Sequence, residues 1–189
     1  MKIISIILTR RKGGDVIDSV YDLNQFGFFE RGTVKELLVA TSKIFVEKFN
    51  VNTKNAVPYE QYKCFVDVRE EFGGVVFTDQ EYPDRVAARC LSEMMMEYLK
   101  TTQGIIGSPF PGLQNIMTKY GTVANVDKTT EIQGQINDIT IIMHKNIDAA
   151  LQNMGKMEDL LQQSNDLSAK SKLFLKQAKK ANRRCCILQ

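Results

Sequence analysis

The stretch that decides the fold runs from residue 132 to residue 181 and reads IQGQINDITIIMHKNIDAALQNMGKMEDLLQQSNDLSAKSKLFLKQAKKA. A stripe of mostly apolar or small side chains recurs in it, in steps of four and three residues that alternate strictly. This spacing is that of a heptad seam and predicts a helix that packs against other helices. The seam positions are Ile132, Ile136, Ile139, Met143, Asn146, Ala150, Asn153, Met157, Leu160, Ser164, Leu167, Ser171, Phe174, Ala178 and Ala181.

This stretch contains no proline, and only Gly134 and Gly155 interrupt it, so one long helix is permitted. At about 1.5 Å per residue such a helix would be roughly 75 Å long, which exceeds the width of a small domain. The polar and small residues of the seam weaken it, and we expect the helix to need partners in order to stay folded. The alternative interpretation of the same spacing is an ordinary amphipathic helix that docks on its own domain.

Some apolar residues of the stretch lie off the seam and widen the stripe: Ile142, Ile147, Leu151, Leu161 and Leu175. One interpretation is a helix with two alternative partners, either other helices or the N-terminal half of the same chain. The other is that a four-helix bundle buries the positions flanking its seam. The spacing leaves both open.

Residues 1–120 have a different pattern, which predicts a mixed domain of the α+β class. A hairpin is predicted from strands at 3–8 and 16–21 around Gly13-Gly14, and a second antiparallel pair from strands at 62–68 and 74–77. Helical spacing extends from an N-cap at Thr33 to Phe49, again over 85–99, and over 113–120. The polar residues 50–55 are predicted to form a loop.

The overall charge of the chain excludes one class of partner, and its distribution points to another. The chain of 189 residues has a formal net charge of +3, too little to indicate a nucleic-acid partner. Seven basic residues and no acidic residue occur between Lys170 and Arg184, a cluster suited to an anionic membrane surface.

No apolar run in the sequence approaches the roughly 20 residues of a spanning helix. We therefore expect a cytoplasmic protein, in which Cys64 and Cys90 stay reduced.

The sequence also lacks the residues of an enzyme site. His144 is the only histidine, which excludes clusters built on several histidines, and it is predicted to be a solvated helix residue. Gly13-Gly14 lacks the lysine and the hydroxyl of a phosphate-binding loop. No grouping of acid, base and nucleophile appears, so we expect no catalytic residue, metal, cofactor or small-molecule substrate.

The residues at 185–189 indicate lipid attachment. Cys186-Ile187-Leu188-Gln189 matches the prenylation pattern, in which a final glutamine favours a farnesyl group. Cys185 supplies a second acceptor, for a palmitoyl group. One lipid chain gives only marginal membrane binding, whereas two give a stable anchor.

Four groups of residues carry a resemblance to a known family: FGFFER at 26–31, DQEYPDR at 79–85, LSAKSKLF at 167–174 with KQAKK at 176–180, and the pair Cys185-Cys186. With the two halves described above, they make the chain similar end to end to the prenylated synaptobrevin homologs, which are SNARE proteins of the longin type.

The resemblance implies a longin (profilin-like) domain with an antiparallel sheet between helices, followed by a helical SNARE coiled-coil motif. On this sequence the expected divisions are a longin domain at 1–120, a linker at 121–128, a SNARE motif at 129–182 and a lipidated tail at 183–189. It implies that the motif joins three glutamine-type SNARE helices and acts in fusion at Golgi, endosomal and vacuolar membranes. It also implies a closed form, in which the longin domain binds the SNARE motif and shelters the farnesyl chain.

One position departs from the family pattern. Members of the family place an arginine at the centre of the seam, where it meets three glutamines, and the matching position here is Asn153. Arginine offers five hydrogen-bond donors and a charge, whereas asparagine offers two donors and one acceptor. The leading hypothesis is therefore a fusion protein with a substituted central layer. The competing hypothesis is a regulatory SNARE or tether that does not drive fusion.

Overall fold

The computed structural model describes residues 1–59, 61–122, 140–151 and 155–185, the last eight of these by their backbone only. We call residues 1–122 the N-terminal domain and residues 140–185 the C-terminal segment. The two parts pack on each other, and their contact determines where the candidate site lies.

One sheet organises the N-terminal domain. Its strands, in chain order, are β1 (Ile3–Arg10), β2 (Val16–Tyr21), β3 (Thr53–Tyr59), β4 (Tyr62–Val68) and β5 (Phe72–Asp79), and the C-terminal segment adds β6 (Ile142–Met143). The spatial order is β2-β1-β5-β4-β3-β6. The first five strands pair antiparallel, while β6 pairs parallel with β3, so the complete sheet is mixed.

Helices cover both faces of this sheet. In the described part of the chain they are α1 (Arg31–Lys48), α2 (Asp84–Thr101), α3 (Leu113–Tyr120), α4 (Ile147–Leu151), α5 (Met157–Gln163) and α6 (Ala169–Cys185). Helices α2 and α3 cover one face and form an apolar cluster with Ile6, Leu8 and Val76. Helix α1 covers the other face together with the C-terminal segment.

Side-chain alternation along the strands supplies both clusters. In β5, Val76 joins the cluster under α2, whereas its neighbours Val75 and Phe77 join the cluster under α1. Gly74 in the same strand lets α2 approach closely, since a β-carbon there would lie 2.3 Å from the Cε of Met94.

The predictions for the N-terminal domain were confirmed in most elements, including the hairpin, the second strand pair and all three helices. Two details were wrong. Helix α1 begins at Arg31, and its N-cap Glu30 makes no side-chain capping bond, so Thr33 is a buried residue of the first turn. The predicted loop at 50–55 instead leads into β3, which starts at Thr53.

The single long helix permitted by the sequence is not formed in the described residues. The C-terminal segment consists there of β6 and three separate helices, α4 to α6. Between α4 and α5, Gly155 has φ of +105°, a conformation that continues no helix. The described parts of the segment therefore fold as separate elements on the surface of the N-terminal domain. This agrees with the docking alternative in the surface that is bound, but not in form, because that alternative was a single amphipathic helix.

Candidate functional site

The candidate site is the surface of the N-terminal domain that binds the C-terminal segment. Helix α4 contacts β3, and helices α5 and α6 contact α1. The apolar cluster beneath α1 includes side chains from both parts of the chain. The contributions of the C-terminal segment are almost fully buried: Ala150, Leu151, Met157, Leu161 and Leu167, none more than 6% exposed.

Strand β6 holds one end of the segment on the sheet edge. It pairs with Asn55 and Ala56 of β3, and the backbone N–H of His144 donates to the carbonyl oxygen of Ala56 at 3.0 Å. The imidazole Nε2 donates to Oδ1 of Asn55 at 2.9 Å, and the ring stacks on Phe49 with centroids 6.0 Å apart. The prediction of a solvated helix histidine was wrong, because this partly buried residue belongs to the docking contact.

His144 should report whether the segment is docked. Its partly buried site lowers the pKa of the imidazole from the ordinary value of 6.5 through loss of hydration. Since docking favours the neutral ring, docking is strongest above about pH 6.5 and weakens as the pH falls towards the lowered pKa. In an NMR titration we expect one imidazole signal with a pKa below 6.5, which rises when partner helices capture the segment. An imidazole pKa that stays the same in that complex would contradict the placement of His144 in the docking contact.

A carboxylate on α1 holds the start of α6. Oε2 of Glu36 accepts the hydroxyl of Ser171 at 2.7 Å and the backbone N–H of Ser168 at 3.0 Å. The hydroxyl of Ser168 accepts the N–H of Ser171 at 3.2 Å, which caps α6, and Lys43 forms an ion pair with Asp166 at 2.7 Å.

The bonds from Ser171 and Ser168 favour the charged carboxylate, so the pKa of Glu36 is lowered from its ordinary 4.5. This contribution to docking is complete above about pH 4.5 and is lost as the pH falls through the lowered pKa. The contact is thus fully formed at neutral pH.

We expect Glu36→Gln to loosen α6 without unfolding the N-terminal domain. The substitution removes charge-assisted bonds at a solvent-accessible site, worth about 1 kcal/mol, so opening of α6 should become roughly fivefold more frequent. Hydrogen exchange of the α6 amides measures this directly. The matched control is Glu47→Gln, an exposed glutamate on the same helix whose ion pair is with Lys48; equal exchange in the two variants would contradict the role of Glu36.

The predicted seam residues divide into three groups in this structure. Four are buried at the contact, namely Ala150, Met157, Leu167 and Ser171, and Leu160 is partly buried there. Others are exposed or partly buried: Met143, Asn146, Ser164 and Phe174. The remaining seam residues and the predicted lipid acceptors lie outside the described residues or in the part described by backbone only: Ile132, Ile136, Ile139, Asn153, Ala178, Ala181, Cys185 and Cys186.

Several residues off the predicted seam also pack on the N-terminal domain. Leu151 and Leu161 are both 0% exposed, and Ile147 and Leu175 are partly buried at the same cluster, whereas Ile142 is 46% exposed. Asn146, a predicted seam residue, instead caps α4, because its Oδ1 accepts the N–H of Ala149 at 2.7 Å. The wide apolar stripe of the sequence thus serves intramolecular packing.

Sequence reasoning missed the polar residues that hold the segment. Asn55 and Glu36 lie in the N-terminal domain, more than 80 residues from His144 and Ser171 along the chain. Their partners become neighbours only through the tertiary fold, so no local pattern identified them. The only sequence feature that could have pointed to this contact was His144, the single histidine of the chain.

The described residues include no group of side chains that could hold a metal ion, and no described helix combines the length and apolar character required to cross a bilayer. Cys64 and Cys90 are buried thiols, and burial raises the pKa of both.

Comparison with known proteins finds one family model in each half of the chain. A family model described as a regulated-SNARE-like domain, of the longin type, matches residues 23–117, and a synaptobrevin model matches residues 128–189. The VAMP-like protein YKT61 of Arabidopsis thaliana is 32% identical over 180 residues, covering 92% of this chain and 90% of the relative.

Two fungal relatives extend the similarity over nearly the whole length. The synaptobrevin homolog ykt6 of Schizosaccharomyces pombe is 31% identical over 197 residues and covers 100% of both chains. The synaptobrevin homolog YKT6 of Saccharomyces cerevisiae is 31% identical over 191 residues, covering 94% of this chain and 95% of the relative. The chain therefore belongs to the longin-domain synaptobrevin family of trafficking SNAREs, which are not enzymes.

Proposed function

We propose that this SNARE donates one helix to a four-helix bundle that drives fusion of intracellular membranes, and that its N-terminal domain inhibits this step. Residues 1–120 act as the longin domain, 121–128 as a linker, 129–182 as the SNARE motif and 183–189 as a lipidated tail. The partners are three glutamine-type SNARE helices.

The observation that supports inhibition is the burial of predicted bundle residues at the intramolecular contact. Ala150, Met157, Leu167 and Ser171 occupy predicted layers, and each is at most 6% exposed in the structure. A side chain cannot pack in the N-terminal domain and in a bundle at once, so the two states exclude each other. The bundle also requires a continuous helix, whereas the docked segment is divided into short elements.

Membrane attachment in this proposal depends on Cys186, carrying a farnesyl group, and Cys185, carrying a palmitoyl group. The basic run from Lys170 to Arg184 adds attraction to anionic lipids. A prenyl chain alone binds reversibly, so acylation of Cys185 would convert a cytoplasmic protein into one resident on Golgi, endosomal or vacuolar membranes.

Asn153 favours a second candidate function, that of a regulatory SNARE or tether. Three glutamines facing an asparagine lose the charge-assisted bonds that an arginine would donate. The shorter side chain also leaves space that water or a cavity must fill. Bundles would still form, because a single polar layer can fix helix register, but the central layer would select partners differently.

The test is liposome fusion by the lipid-anchored chain with three glutamine-type helices, comparing the native chain with Asn153→Arg. For a fusion protein we expect comparable fusion by both, with a complex stabilised by about 1–3 kcal/mol in the variant. Assembly without fusion, rescued by arginine, would instead establish the regulatory function. Asn165→Arg, at an exposed position off the seam, controls for the added charge.

A further inference from the structure

Two neighbouring phenylalanines project from the loop before α1. Among the described large apolar residues, Phe28 and Phe29 are the most exposed, at 79% and 83%. Their rings form an edge-to-face pair with centroids 5.5 Å apart. Single exposed apolar residues are common on proteins, whereas adjoining exposed apolar side chains that form a patch mark sites of interaction.

The loop that carries the pair is held in place at its base. The N–H groups of Glu30 and Arg31 both donate to the carbonyl oxygen of Gly27, at 2.9 and 3.2 Å. Arg31 Nε donates to the carbonyl oxygen of Phe26 at 3.1 Å, and the Phe26 ring packs at 6.3 Å from Tyr62. The pair therefore extends from a turn that hydrogen bonds and a ring contact hold in place.

Cations and a further apolar residue adjoin the pair. Lys170 of α6 donates from Nζ to the carbonyl oxygen of Phe29 at 3.4 Å. One turn along the same helix face, Leu173 is 56% exposed. Between Lys170 and Lys176, α6 carries three lysines and no acidic residue. The surface thus combines protruding apolar side chains with positive charge.

We propose that Phe28, Phe29 and Leu173, flanked by Arg31 and Lys170, dock the folded-back protein on an anionic phospholipid bilayer. Aromatic rings enter the interfacial layer, and the basic side chains contact lipid phosphates. A stable protein partner would need about 800 Å² of matched surface, whereas this apolar patch consists of three side chains at a protrusion.

This docking surface is independent of the lipid groups in the proposed function. Along helix α6, Lys170 and Cys185 are separated by roughly 22 Å at about 1.5 Å per residue. The aromatic pair and the lipidated cysteines would therefore touch one membrane at opposite ends of α6. The pair provides a weak contact before acylation, and the contact exists only while α6 lies on α1, since Lys170 is brought to the loop by that packing.

The test uses the full chain with Cys185→Ser and Cys186→Ser, so that lipid groups play no part. In vesicle flotation we expect binding to phosphatidylcholine vesicles that contain phosphatidylserine, and weaker binding to phosphatidylcholine alone or at high salt. Phe28→Ser with Phe29→Ser should lower the affinity about tenfold or more. Met96→Ser removes a 57% exposed side chain from α2, on the other face of the sheet, and should leave the affinity unchanged.

A second measurement locates the pair in the bilayer. The chain has no tryptophan, so Phe28→Trp introduces a single indole, whose emission should shift to the blue on vesicles and be quenched by brominated lipid. Absence of vesicle binding by the chain with Cys185→Ser and Cys186→Ser, or equal binding after Phe28→Ser and Phe29→Ser are added to it, would overturn the proposal. A blue shift that depends on protein concentration without vesicles would also overturn it, in favour of a protein partner.

Discussion

Leu161→Asp is expected to release the C-terminal segment from the N-terminal domain. Leu161 is 0% exposed at the centre of the docking contact. Truncating such a leucine costs about 2–5 kcal/mol, and an uncompensated carboxylate in the same place costs more. Opening of the segment should therefore become at least about a hundredfold more frequent, since each 1.4 kcal/mol is a factor of ten.

A substitution at Leu161 should affect the docked state and not the bundle. Leu161 lies beside the predicted seam rather than on it, so the aspartate faces the flank of a bundle and leaves its layers intact. We expect the variant to assemble faster with glutamine-type helices than the native chain does. Hydrogen exchange should show lost protection in α5 and α6, with protection kept in β1, β4 and β5.

Leu173→Asp provides the matched control, because this leucine lies in the same segment but is 56% exposed. It introduces the same charge into a neighbouring helix without removing a buried group. For Leu173→Asp we expect the same hydrogen exchange and the same rate of assembly with glutamine-type helices as for the native chain. If Leu161→Asp behaved like this control, the packing of α5 on α1 would not restrain the segment, and inhibition by the N-terminal domain would be untenable.

The N-terminal domain was largely predictable from sequence because its elements follow simple periodicities. Strand β1 is a mostly apolar run in which only Ser5 interrupts residues 3–8, and α2 repeats its buried residues at helical spacing. Strand β3 was missed, since Lys54, Asn55 and Pro58 interrupt its apolar pattern. It lies between β4 and the two-residue β6, so much of its outer side resembles an edge strand, where polar residues and proline are tolerated.

The C-terminal segment was less predictable because its sequence satisfies two structures. The seam spacing identifies residues that align on one side of a continuous helix, but the same apolar residues are buried when the segment folds back in pieces. Leu151 and Leu161, off the seam and fully buried, are the residues that distinguish the second structure. The polar contacts of Glu36 and His144 join residues distant in sequence, and only the fold brings them together.

Phe174→Ala should have the opposite effect to Leu161→Asp, weakening the bundle while sparing the docked state. Phe174 occupies a predicted layer, where its ring would be enclosed by three partner helices. In the docked state it is only partly buried on α6, whose packing on α1 involves the fully buried Ser171. Truncation in an enclosed layer costs about 3–5 kcal/mol, and a partly exposed ring costs markedly less.

Thermal unfolding of the reconstituted four-helix complex is the measurement, with hydrogen exchange of the free chain as the second readout. We expect the melting temperature of the complex to fall by several degrees or more, while α6 of the free chain keeps near-native protection. Phe174→Leu, which retains an apolar side chain of useful size, should recover most of the loss. If the complex with Phe174→Ala melted at the native temperature, Phe174 would lie outside the bundle core. The heptad register that places Asn153 at the central layer would then be wrong. Loss in the complex alone would show that the Phe174 ring stabilises the bundle and contributes little to the docked state, although Ser171 on the same seam serves both.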